Sequence, residues 1–209
     1  MCIRDSFEGE IVRCRVEDGG ILTERKGINV PRTLVKLPAV GPHDLDCLDH
    51  ALSQDVDFVA VSYVRSAADL IPARERIEAA GVHTWIVAKI EHPAALEDLT
   101  AIVESADVVM VARGDLGVEI PLEEVPAAQE RIVSACLERG TPVVVATQML
   151  ESMVNHARPT RAEVTDVATA IRQHVSAVML SGETASGQHP VKAVETMARI
   201  AETVEQSTK

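Results

Sequence analysis

The sequence predicts an α/β protein built on a parallel sheet, and three observations carry that expectation. Five short runs, nearly continuous in Val, Ile, Ala and Met, have the composition of strands covered on both faces: VDFVAVS, TWIVAKIE, DVVMVARGD, PVVVATQ and SAVMLSGE. Stretches with helical spacing separate them, and that alternation makes a sheet parallel. Each run also closes on polar or charged residues, at the strand ends where parallel α/β folds gather their functional groups.

The chain opens differently. EGEIVRCRVEDGGIL alternates with period two around Asp18-Gly19-Gly20, which predicts an antiparallel hairpin there. RKGINVPRTLVKLPAVGP, rich in Pro and Gly, reads as a connector, and a boundary near Pro31 divides the chain into segments 1–31 and 32–209. A lone hairpin is marginally stable, so the first segment should not fold by itself. Beyond the boundary, Asp44–Leu52 reads as a short helix. Ala67–Ala80 carries Leu70, Ile71, Arg74 and Ile77 at helical spacing and stops at Gly81. Pro126–Glu138 starts on a proline, buries Ile132, Val133, Cys136 and Leu137, and ends before Gly140. Thr160-Arg161-Ala162-Glu163 is a capping box, followed by Val164, Val167, Ala168 and Ile171. A last helix runs from Pro190 through Val194, Met197 and Ile200. A closed (β/α)8 barrel needs eight strands, so about five make either an open sheet or part of a barrel.

Composition narrows the functions. A formal net charge of −12 over 209 residues argues against a nucleic-acid-binding surface, and a phosphorylated substrate would need local cations or a metal. The four cysteines (Cys2, Cys14, Cys47, Cys136) are scattered, as reduced thiols of a cytoplasmic protein are. Charged residues or prolines interrupt every apolar run, so no membrane span is expected, and Met1–Ser6 lacks the apolar centre of a signal peptide. The seven histidines offer no pair at metal-ligand spacing, and neither GxxxxGK nor GxGxxG occurs.

Two strand ends stand out. Lys89 and Glu91 lie two apart, as do Arg113 and Asp115. Side chains alternate along a strand, so each pair should project from one face and bring a cation and two carboxylates to one rim. Such a rim suits a metal or an anionic ligand.

Five motifs in order then carry a resemblance: Lys89-Ile90-Glu91-His92, Met110-Val111-Ala112-Arg113-Gly114-Asp115-Leu116-Gly117, Ala146-Thr147-Gln148-Met149-Leu150-Glu151-Ser152, Arg158-Pro159-Thr160-Arg161-Ala162-Glu163 and Met179-Leu180-Ser181-Gly182-Glu183-Thr184-Ala185. Together they resemble pyruvate kinase from about Glu8 to the C-terminus, whereas Met1–Ser6 resembles nothing in that family and reads as a scar. The resemblance implies a (β/α)8 barrel interrupted by a small β lid domain. Residues 1–31 would then include the end of the lid, and 32–209 would be a partial barrel of about strands four to eight. One departure is visible: Gln173-His174-Val175-Ser176 replaces a glycine-containing turn, which puts the local helix stop in question.

The resemblance also implies roles. The reaction is phosphoryl transfer from phosphoenolpyruvate to ADP, giving pyruvate and ATP, a step of glycolysis. Glu91 and Asp115 would hold Mg2+ (or Mn2+), and Lys89 would stabilise charge on the phosphoryl group and the enolate. Gly114, Asp115 and Thr147 would meet the substrate, with Thr147 a binder or proton relay. Ser181 and Glu183 would support the rim, and Lys26 would contact nucleotide. A K+ site with ligands mostly outside the chain and a homotetrameric assembly are likewise implied. Two other readings compete. One is a metal-dependent lyase or aldolase acting on pyruvate or oxaloacetate, which would also hold Mg2+ against an enolate at strand ends. The other is that the chain is a truncated piece, inactive alone, because an exposed interior and unpaired edges invite aggregation.

Overall fold

The computed structural model describes residues 2–8, 11–21, 23, 24, 27, 30 and 37–207. The chain divides into two compact units, Met1–Val30 and Pro31–Lys209.

In the first unit, β1 (Cys2–Glu8) pairs antiparallel with β2 (Ile11–Val16), from Cys2 opposite Val16 to Glu8 opposite Ile11, with an irregularity between Arg4 and Ser6. This corrects the expected hairpin. The paired strands end at Glu8 and begin again at Ile11, whereas Asp18-Gly19-Gly20 follows β2 in a bend and irregular backbone. Alternation in EGEIVRCRV belongs to one strand and the end of another, so it could not locate the turn.

The second unit is a five-stranded parallel sheet in the order β3 (Phe58–Val61), β4 (Trp85–Ile90), β5 (Val108–Ala112), β6 (Val143–Ala146) and β7 (Ala177–Val178). The five apolar runs are these five strands. Register fixes what faces what: Ala88 lies opposite Val61 and Val109, and Val111 opposite Ile90 and Val145. Every second residue packs into one core: Val61, Ile86, Ala88, Ile90, Val109, Val111, Val143 and Val145 are all buried in it. Each fully buried Ile or Val side chain contributes about 1.5–3 kcal/mol.

The alternate residues face the other way, and the expectation of two covered faces holds there only in part: Val87, Val108, Ala112 and Ala146 are buried, but the end at Phe58 and Trp85 is not. Phe58 is 56% exposed and Trp85 is 38% exposed, with their rings edge-to-face at 5.6 Å. The core cluster lies on the opposite face, and this one is open at its lower end.

Helices α1 (Pro42–Leu52), α2 (Ile71–Ala80), α6 (Val125–Arg139), α7 (Arg161–Arg172) and α9 (Pro190–Ser207) match the five expected helices to within a few residues. The first turn of the Ala67–Ala80 segment is a 3-10 turn, Ala67–Leu70. The segment after Glu91 forms two helices that the sequence reading left unassigned, α3 (Pro93–Glu97) and α4 (Leu99–Ser105). They break at Asp98, whose carboxylate accepts the Ala67 N–H at 2.9 Å. Two further short helices follow strand ends, α5 (Arg113–Glu119) and α8 (Gly182–Ala185).

Helix stops show how the departure at His174 is absorbed. Gly81 (φ 68°) ends α2 and Gly140 (φ 69°) ends α6, both in the left-handed conformation glycine adopts without cost. His174 takes the same conformation (φ 60°) just past α7, and its N–H reaches Ile171 O at 2.9 Å. The stop survives with a strained residue. His174→Gly is expected to raise stability by about 1 kcal/mol, read as a shift in the urea midpoint. No change or a loss would mean that the imidazole contributes compensating contacts.

Candidate active site

The strand ends that carry the candidate residues adjoin in the sheet. Lys89 is the penultimate residue of β4, between the buried Ala88 and Ile90, so its side chain leaves by the face opposite the core. Its amine lies 3.0 Å from Ser62 Oγ, just past β3, and 2.6 Å from Glu91 Oε1. Glu91 has 0% exposure. Its Oε2 accepts the Tyr63 N–H at 2.7 Å. Its Oε1 has the close ion pair with Lys89 but no contact of good hydrogen-bond direction. Burial pushes the Glu91 carboxyl above its ordinary range. The Lys89 amine and the Tyr63 N–H pull it back, and the negative charge of Asp115 adds a further upward push.

Those features bear on a metal. An under-coordinated buried carboxylate oxygen, facing a second carboxylate that repels it, is the donor set a hard divalent cation relieves. Among the described residues no group of three or more His, Cys, Asp or Glu is placed to hold a metal. Mg2+ commonly takes only one or two protein carboxylates and completes its shell with water and substrate, so Glu91 and Asp115 fit it.

The pairing of Arg113 with Asp115 on one strand face needs correction. β5 stops at Ala112 and α5 begins at Arg113, and residues two apart do not share a helix face. Asp115 is half-buried in the first turn. Arg113 turns inward and is 9% exposed, with its guanidinium at 2.7 Å from Asp166 Oδ1. Of these four residues, Lys89 and the two carboxylates remain at the rim, while Arg113 turns in behind it.

Thr147 and Gly114 meet directly. The Gly114 N–H donates to Thr147 Oγ1 at 2.7 Å, and that hydroxyl donates to Ala146 O at 2.6 Å. A Cβ on Gly114 would lie 3.5 Å from Thr147 Oγ1, ordinary contact, so crowding does not demand glycine here. Thr147 (φ 69°) and Gln148 (φ 53°) are both left-handed. For a β-branched threonine this is an outlier, and such residues cost on the order of 1–3 kcal/mol each unless surroundings hold them.

Ser181 lies just before α8 and Glu183 in its first turn, beyond β7. The Glu183 carboxylate, 1% exposed, accepts the Leu150 N–H at 3.0 Å and the Ser181 N–H at 2.8 Å. It joins the loop after β6 to the start of α8. Glu163 does comparable work for Ser152. It accepts from the Ser152 N–H (2.7 Å) and hydroxyl (2.6 Å), and from the Thr160 N–H (2.7 Å) and hydroxyl (2.9 Å). Burial pushes its carboxyl up, but these four donors together hold it below the ordinary value. A depressed carboxyl contributes stability that is complete above its unfolded pKa and lost as pH falls through the folded one. Replacing Glu163 by Gln is therefore expected to flatten the stability profile below about pH 4.5, tracked by thermal unfolding between pH 3 and 7. An unchanged acid limb would remove Glu163 from the account. Lys26 lies outside the described residues.

The family model described as pyruvate kinase, barrel domain, matches residues 1–194. The chain belongs to the pyruvate kinase family. The match takes in Met1–Ser6, so the expectation that these residues resemble nothing in the family does not hold. A pyruvate kinase of Mycobacterium tuberculosis (strain CDC 1551 / Oshkosh) is 48% identical over 204 residues, covering 98% of this chain and 43% of that protein. One from Geobacillus stearothermophilus is 50% identical over 204 residues, covering 97% of the chain and 35% of the relative. One from Agrobacterium vitis is 49% identical over 203 residues, covering 97% and 41%. The chain thus spans less than half the length of these relatives. Its five-stranded parallel sheet is a partial pyruvate kinase barrel. No helix among the described residues is long and apolar enough to cross a membrane.

Proposed function

We propose that this chain carries the phosphoryl-transfer site of a pyruvate kinase, with Mg2+ (or Mn2+) as cofactor, phosphoenolpyruvate as donor and ADP as acceptor. The observation that carries the reading is the convergence of Lys89 with the buried Glu91 at the end of β4, within electrostatic reach of Asp115 in the first turn of α5. In the reaction the bond between phosphorus and the enol oxygen breaks. A new bond forms to a terminal ADP oxygen, and the electron pair left on the enol oxygen is an enolate, which then takes a proton at its methylene carbon. The divalent ion, when bound, neutralises the phosphoryl and enolate oxygens. Lys89, steadied by Ser62, places a fixed positive charge beside the same oxygens. The Tyr63 N–H aims the Glu91 carboxylate. The Thr147 hydroxyl donates a hydrogen bond to Ala146 O in this conformation; rotated toward the rim it binds substrate or acts as a relay, with water as final donor. Gly114 brings backbone close to Thr147, Lys26 contacts nucleotide, and Ser181 and Glu183 support the rim.

Family membership, with the Thr147–Ser152 and Ser181–Ala185 motifs, favours this kinase over an enolate-forming lyase. The same reading includes a K+ site with ligands mostly outside the chain, a homotetramer and a glycolytic place in the cytoplasm. It assigns residues 1–31 to the end of a lid domain and 32–209 to part of the catalytic barrel. The test is a coupled assay of pyruvate formation on an enzyme of the relatives' length containing these residues, beside the 209-residue chain alone. Activity in the former and none in the latter is expected. The exposed Phe58 and Trp85, and the terminal places of β3 and β7 in the sheet, leave an open interior. Robust turnover by the 209 residues would overturn the inactive-piece reading. ADP-independent pyruvate formation would overturn the kinase.

A further inference from the structure

The kinase reading gives no task to Arg113, yet its guanidinium is the most heavily engaged group behind the rim. Nε donates to Ala146 O at 3.3 Å. Nη2 donates to Thr147 O at 2.7 Å and lies 2.8 Å from Met149 Sδ. Nη1 donates to Asp166 Oδ1 at 2.7 Å and Gln129 Oε1 at 3.4 Å. Three of these five partners fall in residues 146–149, the segment that contains the two consecutive left-handed residues Thr147 and Gln148.

A left-handed threonine followed by a left-handed glutamine does not hold itself. It persists where neighbouring groups fix the flanking peptides, and a planar fork with five donors can bind two successive carbonyls at once. Asp166, on α7, supplies the counter-charge that keeps the buried guanidinium aimed at those carbonyls. One residue after Arg113, the Gly114 N–H meets the Thr147 hydroxyl. Arg113 thus holds the carbonyls of the turn and Gly114 its hydroxyl oxygen, so that oxygen has a fixed place about which only the O–H rotates.

We propose that Arg113, anchored by Asp166, is a positioning residue that fixes the Thr147–Gln148 turn and so sets the aim of the Thr147 hydroxyl in catalysis. The inference rests on the reading of Thr147 as a substrate-contacting group. Lysine keeps the charge but cannot span two carbonyls and a carboxylate, so Arg113→Lys is the informative change.

The experiment is a double-mutant cycle on an enzyme of the relatives' length, with kcat, KM for phosphoenolpyruvate and Mn2+ affinity measured for Arg113→Lys, Thr147→Ala and both together. Arg113→Lys is expected to lower kcat about 30-fold with KM and Mn2+ affinity within about threefold, and to cost less than threefold once Thr147 is already Ala. An equal loss in both backgrounds overturns the inference while leaving the kinase reading intact. Normal kinetics of Thr147→Ala overturns the role of Thr147 and with it the inference. Should Arg113→Lys fail to fold, Asp166→Asn decides. Leaving Arg113 in place but unanchored, it is expected to lower kcat three- to tenfold in the Thr147 background only, and unchanged kcat overturns the proposal.

Discussion

Lys89→Met is expected to lower kcat by roughly three orders of magnitude while changing divalent-ion affinity only a few-fold. Methionine is near in length and apolar bulk, so the half-buried stem keeps its packing and the loss isolates the charge. Two consequences follow from the geometry. Ser62 Oγ loses its contact at 3.0 Å, and Glu91 Oε1 loses its ion pair at 2.6 Å. The second change frees a carboxylate oxygen that Lys89 otherwise competes for, so Mn2+ binding should hold or tighten slightly. Steady-state kinetics with an Mn2+ titration checks both halves. Near-normal turnover would remove Lys89 from the chemistry. A large fall in Mn2+ affinity would mean that the amine organises the carboxylates rather than the transferring group.

Glu91→Gln should have the opposite signature. The amide can still accept the Tyr63 N–H through its oxygen, so the loop after β3 keeps its tie. The buried negative charge disappears, and with it the repulsion from Asp115 that burial magnifies. The new NH2 then meets the Lys89 amine donor to donor in place of the ion pair, which offsets part of that relief, so the metal-free protein should melt within a few degrees of the parent. Mn2+ affinity should fall on the order of 100-fold, so an ion concentration that stabilises the parent by about 2.7 kcal/mol stabilises the variant by less than about 0.5 kcal/mol. Turnover at subsaturating metal falls with it. Retained stabilisation by Mn2+ would place the ion elsewhere.

Much of this site could be read from the chain because the strands are covered on their core side. A run such as TWIVAKIE must be a strand, and its first charged residues must come where the sheet ends, so Lys89 and Glu91 were legible together. Arg113 was not. The sequence DVVMVARGD carries no mark of the switch from strand to helix at Ala112, because Gly114 and Gly117 make α5 look like a loop. Continuing the strand by one residue put Arg113 on the rim, when the helix turns it inward. The capping box at Thr160 was plain, but the 2.6 and 2.7 Å contacts from Glu163 to Ser152 join segments eleven residues apart and leave no local signal. Helices α3 and α4 escaped for a similar reason. Five and seven residues long and broken at Asp98, neither completes the two turns over which a 3.6-residue period shows. The β1–β2 turn shows how alternation identifies a hairpin without fixing its register.

The proposed divalent ion is held jointly by Glu91 and Asp115. Crystals of an enzyme of the relatives' length, soaked with Mn2+ and an enolpyruvate analogue such as oxalate, would locate the ion by anomalous scattering. A peak within roughly 2.5 Å of a carboxylate oxygen of both residues, with the analogue completing its shell and Lys89 Nζ beside the analogue's oxygen, is the expected result. A peak held by other residues, or an analogue bound with no ion between these two carboxylates, would contradict it.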